Sequence, residues 1–315
     1  MTPNNAIPVE IRHGLSVKDA GTVAAISAHA APFKGAMFGP AARGGYDTMI
    51  ESFPDSGEVI YEDGEVGGVR GVWCQPKTNV RKDAAILYLH GGGYVLGSAR
   101  AYRHFAGRFA AKVGATTFIP DYGLAPERPF PAAPDDALAV YRGLVEKGFH
   151  KIALVGDSAG GGLALVLLAL TQAAAAVGEG LAPVGAVVTS PWTDLALTGD
   201  SVVTKAVEDP LLTPEVLRAG AASYLGAEPP RNPRASPLFG ALSGLPPVQV
   251  HVGTAEVLLD DSLRYGERAH EAGVEASVHV WEGMPHVFTS NIGTLEAADE
   301  ALGIMFAFIK DKLET

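Results

Sequence analysis

"ALVGDSAGGGLALVLLAL", residues 153–170, is the stretch on which the fold turns. An apolar strand-like run stops at Gly156, Asp157, Ser158 and Ala159 follow, and three glycines, Gly160, Gly161 and Gly162, open a long apolar helix-like run. Glycine costs a helix local stability, so its presence there implies that other backbone must come close. Gly156-Asp157-Ser158-Ala159-Gly160 is a G-x-S-x-G pattern at a strand-to-helix junction. Such a sharp turn lifts a serine hydroxyl above the sheet, and the glycines avoid collision with the neighbouring strand and helix. Ser158 is the candidate nucleophile.

Outward from this junction, short apolar runs alternate with helical patterns: "AAILYL" (84–89), "ATTFIP" (115–120), "IALVG" (152–156), "GAVVTS" (185–190), "VQVHVG" (248–253) and "ASVHVW" (276–281). Continuous apolar strands separated by helices predict an α/β class with a mostly parallel central β-sheet flanked by helices on both faces. Upstream, "EVIYEDGEVGGVRGVW" alternates apolar and polar residues and predicts a hairpin turning at Asp63-Gly64. Asp135 and Asp136, and Asp260 and Asp261, read as caps for the helices that follow them. Almost sixty residues separate the run ending at Ser190 from that starting at Val248, far beyond the usual ~2–6 residue connection. An inserted helical lid is expected there, with Thr213-Pro214 as N-cap and first helical residue.

Composition narrows the function classes. The 315 residues are 47% hydrophobic, enough to bury a large core, and no internal repeat is visible. With 24 basic against 35 acidic residues and a formal charge of −11, neither nucleic acid nor an anionic membrane surface is an expected partner. The single Cys74 cannot form an internal disulfide, and "MTPNNAIPVEIRHGLS" lacks a signal-peptide pattern, so a cytoplasmic location is expected. The apolar run 163–177 is broken by Thr171 and Gln172 and reads as a buried core helix, without stable membrane insertion. No Cys/His cluster and no second histidine four residues beyond His270 are present, so no metal and no cofactor are expected.

A weak serine nucleophile needs a base, an acid to orient that base, and donors for the developing oxyanion. His90-Gly91-Gly92-Gly93 follows an apolar strand directly, leaving unshielded backbone N–H groups; Gly91, Gly92 and Ala159 are the candidate oxyanion donors, with His90 a structural residue of the loop. No Lys-Ser/Thr follows these glycines, as a phosphate loop would require. His286 in "WEGMPHVF", after the last strand run, is the candidate base; His251 and His279 lie inside strands and His270 near a helix end. Glu256 follows the run 248–253 and is the candidate acid, in the chain order Ser158, Glu256, His286; Asp260 and Asp261 are its rivals. Tyr94 and Trp192 are candidate substrate-binding residues.

The motifs "HGGGYVLGS", "DYGLAPERPFPAAPDDA", "GDSAGGGLA" and "GMPHVF", in this order, resemble those of the hormone-sensitive-lipase family (bacterial family IV esterases) of α/β-hydrolases. The resemblance implies an α/β-hydrolase fold and a Ser-His-acid triad cleaving carboxylic esters, usually of short acyl chains, through an acyl-enzyme. It also implies a helical cap, here residues 1–50 and 195–235, over a core of residues 51–194 and 236–315, and it allows a homodimer. The chain departs from the family pattern at Gly123, where arginine is common, and at Glu256, where aspartate is common. The same resemblance extends to monoterpene lactone hydrolases, which makes a lactone the alternative small-molecule substrate. It extends as well to the plant gibberellin receptor, a non-catalytic small-ligand-binding protein that lacks the triad histidine this chain retains as His286.

Overall fold

In the computed structural model, which describes residues 9–36, 39–78 and 80–315, nine strands form one sheet. They are β1 (Glu10–His13), β2 (Val59–Val66), β3 (Val69–Pro76), β4 (Arg81–Leu89), β5 (Ala115–Pro120), β6 (Lys151–Asp157), β7 (Gly185–Thr189), β8 (Val248–Gly253) and β9 (Ala276–Trp281). Their spatial order is β1-β9-β8-β7-β6-β4-β5-β3-β2. Only the β2–β3 and β3–β5 pairs are antiparallel. All six apolar runs read from the sequence become strands, and β7 and β8 are buried along their whole length, as strands covered on both faces must be.

The helices are α1 (Val17–Ala30), α2 (Arg43–Glu51), α3 (Ala99–Val113), α4 (Ala132–Glu146), α5 (Ser158–Ala176), α6 (Ser201–Thr204), α7 (Pro214–Leu225), α8 (Leu259–Glu271) and α9 (Glu296–Glu314). Two apolar clusters cover the two faces of the sheet. Leu163 and Leu167 of α5 pack with Val140 of α4 and Tyr265 of α8 on one face; Phe105 and Phe109 of α3 pack with Met305 and Ile309 of α9 on the other. Helix α5 is long and apolar enough to cross a bilayer, but here it is the mostly buried central helix.

Four expectations need correction. The hairpin turns at Gly67-Gly68, both with positive φ (59° and 79°), and Gly64 lies mid-strand opposite Gly71. Two left-handed residues match the twist of a tight hairpin, whereas the space above Gly64 is taken by the Trp73 ring. Within residues 1–50, Glu10–His13 is a strand of the core sheet, parallel to β9, held by His13 stacking on Trp281 at 3.7 Å and bonding His279 at 2.9 Å. Residues 1–8 lie outside the described residues. Neither Asp135 nor Asp136 caps α4, which begins earlier, at Ala132. Asp136 instead accepts the Gly123 N–H (2.8 Å) and both guanidinium nitrogens of Arg128 (2.6 and 2.9 Å). A Cβ at position 123 would lie 3.0 Å from the Ala132 Cβ and 3.1 Å from the Arg128 side chain, so a side chain there would be crowded. Finally, Asp260 and Asp261 lie inside α8, which has no side-chain cap.

The inserted segment 195–235 carries α6 and α7, the latter capped by Thr213 with Pro214 in first position, as read from the sequence. At the start of α5, a Cβ on Gly160 would lie 2.1 Å from the Leu89 carbonyl oxygen and 2.3 Å from that of His90. Gly303, on the exposed side of α9, has nothing within 4 Å. Gly160→Ala is therefore expected to lower stability by about 3 kcal/mol or prevent folding. Gly303→Ala should raise it by roughly 0.5–1 kcal/mol. Urea midpoints of the two variants check the contrast, and equal midpoints would refute the close-approach account.

Candidate active site

Ser158 stands at the first position of α5 with φ of 52°, a left-handed conformation that costs a non-glycine residue about 1–3 kcal/mol. The packing around the turn enforces it. The carbonyl of Ser158 accepts the Trp192 N–H at 2.9 Å, and Gly162 lets the Trp192 carbonyl approach to 2.1 Å from where a Cβ would be. The hydroxyl is thereby turned upward at the C-terminal edge of the sheet, where the loops after β8 and β9 also end.

Those loops deliver Glu256 and His286. The His286 Nδ1–H donates to Glu256 Oε2 at 2.7 Å, and Nε2 lies 3.0 Å from Ser158 Oγ, positioned to accept its proton. Glu256 is fully buried, while Ser158 and His286 are partly exposed. Burial by itself would lower the His286 pKa, but the charge and hydrogen bond of Glu256, with the carboxylates of Asp209 and Asp157, outweigh it and leave the pKa above 6.5.

The glycine loop after β4 differs from expectation at one residue. The N–H of Gly91 donates to Asp157 Oδ1 at 3.1 Å and is not available to a substrate. No acceptor among the described residues takes the backbone N–H of Gly92, Gly93 or Ala159. Asp157 is the anchor of this loop, because it also accepts from Tyr88 at 2.8 Å and from Tyr102 at 3.3 Å. Burial pushes its carboxyl up to about 6, partly offset by the Tyr88 and Gly91 hydrogen bonds. His90 packs between Tyr102 and Tyr122, with Nδ1 2.8 Å from the Gly91 carbonyl, and burial pushes its pKa down to about 4. Tyr94 and Trp192, expected to touch substrate, are instead core residues: both are fully buried, and Tyr94 stacks face to face on Tyr224 of α7 at 3.8 Å. Among the described residues, no cluster of three His, Cys, Asp or Glu side chains could hold a metal ion.

Residues 86–290 match a family model described as the alpha/beta hydrolase fold. Over 268 residues the chain is 39% identical to an acetyl-hydrolase of Streptomyces hygroscopicus, covering 84% of this chain and 87% of that protein. It is 36% identical over 266 residues to an esterase of Acinetobacter venetianus, covering 83% and 86%. A solved esterase of the bacterial hormone-sensitive lipase family superposes with a TM-score of 0.85 at 39% identity, covering 95% of this chain and 99% of that one. The chain belongs to the hormone-sensitive-lipase-like esterases of the α/β-hydrolase fold. It is a carboxylic ester hydrolase.

In this esterase the loop carrying Glu256 is gripped by the inserted segment and the residues leading into it. Asp209 accepts the Val257 N–H at 3.0 Å, and Ser201 donates to the Val257 carbonyl at 2.7 Å. Asp260 accepts the Ser201 N–H at 2.9 Å, and Asp261 accepts the N–H groups of Thr193 and Asp194 at 2.7 and 2.8 Å. The two rivals for the acid are thus committed to holding backbone. Asp209 and Ser190, whose hydroxyl reaches Glu256, escaped sequence reasoning. Ser190 carried one usable signal: it ends a buried strand run at the sheet's C-terminal edge.

Burial, together with the charge of nearby Asp194, pushes the Asp261 carboxyl up to about 8. Its Oδ1 has no hydrogen-bond partner among the described residues and can carry the proton while Oδ2 accepts the two N–H groups. A carboxyl whose folded pKa is raised gives stability that is complete below its unfolded value and is lost as pH rises toward the folded value. Asp261 should therefore contribute a loss of stability between about pH 4 and 8, and Asp261→Asn, which mimics the protonated form, should remove that contribution from the slope. Melting temperatures across this range test it; parallel curves for the two proteins would show that Asp261 is ionised in the fold.

Proposed function

We propose that the esterase is a serine carboxylesterase acting on short-acyl esters through a Ser158-His286-Glu256 triad. The observation that carries this reading is the unbroken hydrogen-bonded chain Ser158 Oγ, His286 Nε2, His286 Nδ1, Glu256 Oε2 at 3.0 and 2.7 Å. Ser158 Oγ attacks the ester carbonyl carbon as its proton passes to His286 Nε2. The tetrahedral oxyanion takes the N–H groups of Gly92, Gly93 and Ala159, Gly93 replacing Gly91, whose N–H is already used. The N-terminus of α5 adds a favourable dipole at the same point. His286 then gives its proton to the departing alkoxide, water repeats the sequence on the acyl-enzyme, and the acid is released. Glu256 holds the imidazole in the tautomer that leaves Nε2 free and stabilises the imidazolium.

The short-acyl reading is supported by the relative named acetyl-hydrolase, and the esterase relatives favour an acyclic ester over a lactone. The inserted segment and the N-terminal segment meet through the Gly35 N–H on the Leu211 carbonyl (3.0 Å) and the Lys34 ammonium on that of Val207 (3.0 Å). Together they are read as the cap over the acyl site.

Turnover, labelling and pH dependence test this function. Ser158→Ala should lower kcat by about 10⁴-fold or more, and an organophosphate should add once, at Ser158, by peptide mass spectrometry. Turnover across p-nitrophenyl esters from acetate to decanoate should fall with chain length; a maximum at the long esters would contradict the short-acyl reading. The active form needs neutral His286, so kcat/KM should fall as pH drops through a midpoint above 6.5. Glu256→Gln removes the main influence raising that pKa, so its acid limb should move to lower pH while kcat falls roughly 10²- to 10⁴-fold. An unmoved limb with kcat intact would remove Glu256 from the triad.

A further inference from the structure

Ser190 follows directly on β7, is fully buried, and donates its N–H to the His251 carbonyl of β8 at 2.7 Å. Its φ is 46°, a region that L residues seldom occupy, and Val287, the residue after His286, has φ of 51°. These two unusual residues meet. The Ser190 hydroxyl donates to Glu256 Oε1 at 2.7 Å and accepts the Val287 N–H at 3.1 Å. A carboxylate can only accept and an amide N–H can only donate, so both directions are fixed. One oxygen atom thus bridges the loop that carries the acid and the loop that carries the base.

The carboxylate is oriented by the same contact. Glu256 Oε1 accepts from Ser190 and from the Gly253 N–H at 2.9 Å, which leaves Oε2 aimed at His286 Nδ1. Glutamate has one more rotatable bond than aspartate, so a side chain reaching the imidazole from this loop has more freedom to be removed. We propose that Ser190 is a positioning residue of the esterase, setting the separation and angle between Glu256 and His286 by holding both; this rests on the triad reading above. Its removal leaves the part-buried Val287 N–H without its acceptor and the carboxylate short of one donor. A plain strand-end serine would affect stability alone.

A double-mutant cycle in kcat separates the two. Ser190→Ala, Glu256→Ala and the double variant are assayed on p-nitrophenyl acetate, with folding followed by circular dichroism. Ser190→Ala is expected to lose roughly 10- to 100-fold in kcat with KM nearly unchanged, since a small misplacement of reacting groups costs that much. In the Glu256→Ala background the same change should cost less than about 3-fold, because its target is gone. Ser190→Gly, which relieves the positive φ and lacks the hydroxyl, should match Ser190→Ala and replaces it if the alanine variant does not fold. Wild-type kcat in both hydroxyl-free variants, or an equal loss with and without Glu256, overturns the proposal while an impaired Glu256→Ala leaves the triad standing. Full activity of Glu256→Ala would overturn the triad reading and this proposal with it.

Discussion

At the start of α5 a helix meets two strand ends at a separation that only hydrogen can fill. The carbonyls of Leu89 and His90 crowd Gly160, the Gly160 carbonyl crowds Gly156, and the Trp192 carbonyl crowds Gly162. This compression keeps Ser158 in its left-handed conformation, a cost that the surrounding buried contacts offset. It also places the first free N–H groups of α5 in the same turn as the serine hydroxyl. Every other part of the site is arranged relative to that turn.

Asp157 carries the compression into the neighbouring loop. Its carboxylate faces down, away from solvent, and gathers Tyr88 of β4, Tyr102 of α3 and the Gly91 N–H. Tyr46 of α2 joins through Tyr102 at 2.8 Å, so an N-terminal helix is tied to the same buried charge. Burying a carboxylate is costly, which is why its pKa rises to about 6, and several donors are required to keep it there. What the network returns is order: the glycine loop is anchored at Gly91, and the next two residues present their backbone.

On the other side, the loop of Glu256 is held by the inserted segment and the residues leading into it. Asp209, Ser201, Thr193 and Asp194 all bond to residues 257–261. A displacement of the inserted segment must break the bonds of Asp209 and Ser201 or carry the loop of Glu256 with it. On the proposed reading, substrate enclosure and orientation of the base share one scaffold, so that contacts of a fold-building kind also bear on the chemistry.

The sequence by itself determined the sheet, the elbow and the order of Ser158, Glu256 and His286, because each is written in local pattern: buried strands are continuous apolar runs, and a G-x-S-x-G after such a run has one geometry. The same local reading placed the hairpin turn at Asp63-Gly64 and made caps of Asp135, Asp136, Asp260 and Asp261. An acid near a helix start looks identical whether it serves its own helix or backbone brought from elsewhere. Three adjacent glycines are likewise alike in sequence, yet Gly91 differs from its neighbours because Asp157, 66 residues away, accepts its N–H. Tyr94 and Trp192 are core and not lining because α7 brings Tyr224 against the glycine loop. Only the tertiary structure decided which polar group each donor meets, since a hydrogen bond is satisfied by proximity in space and that proximity is set by packing across the sheet.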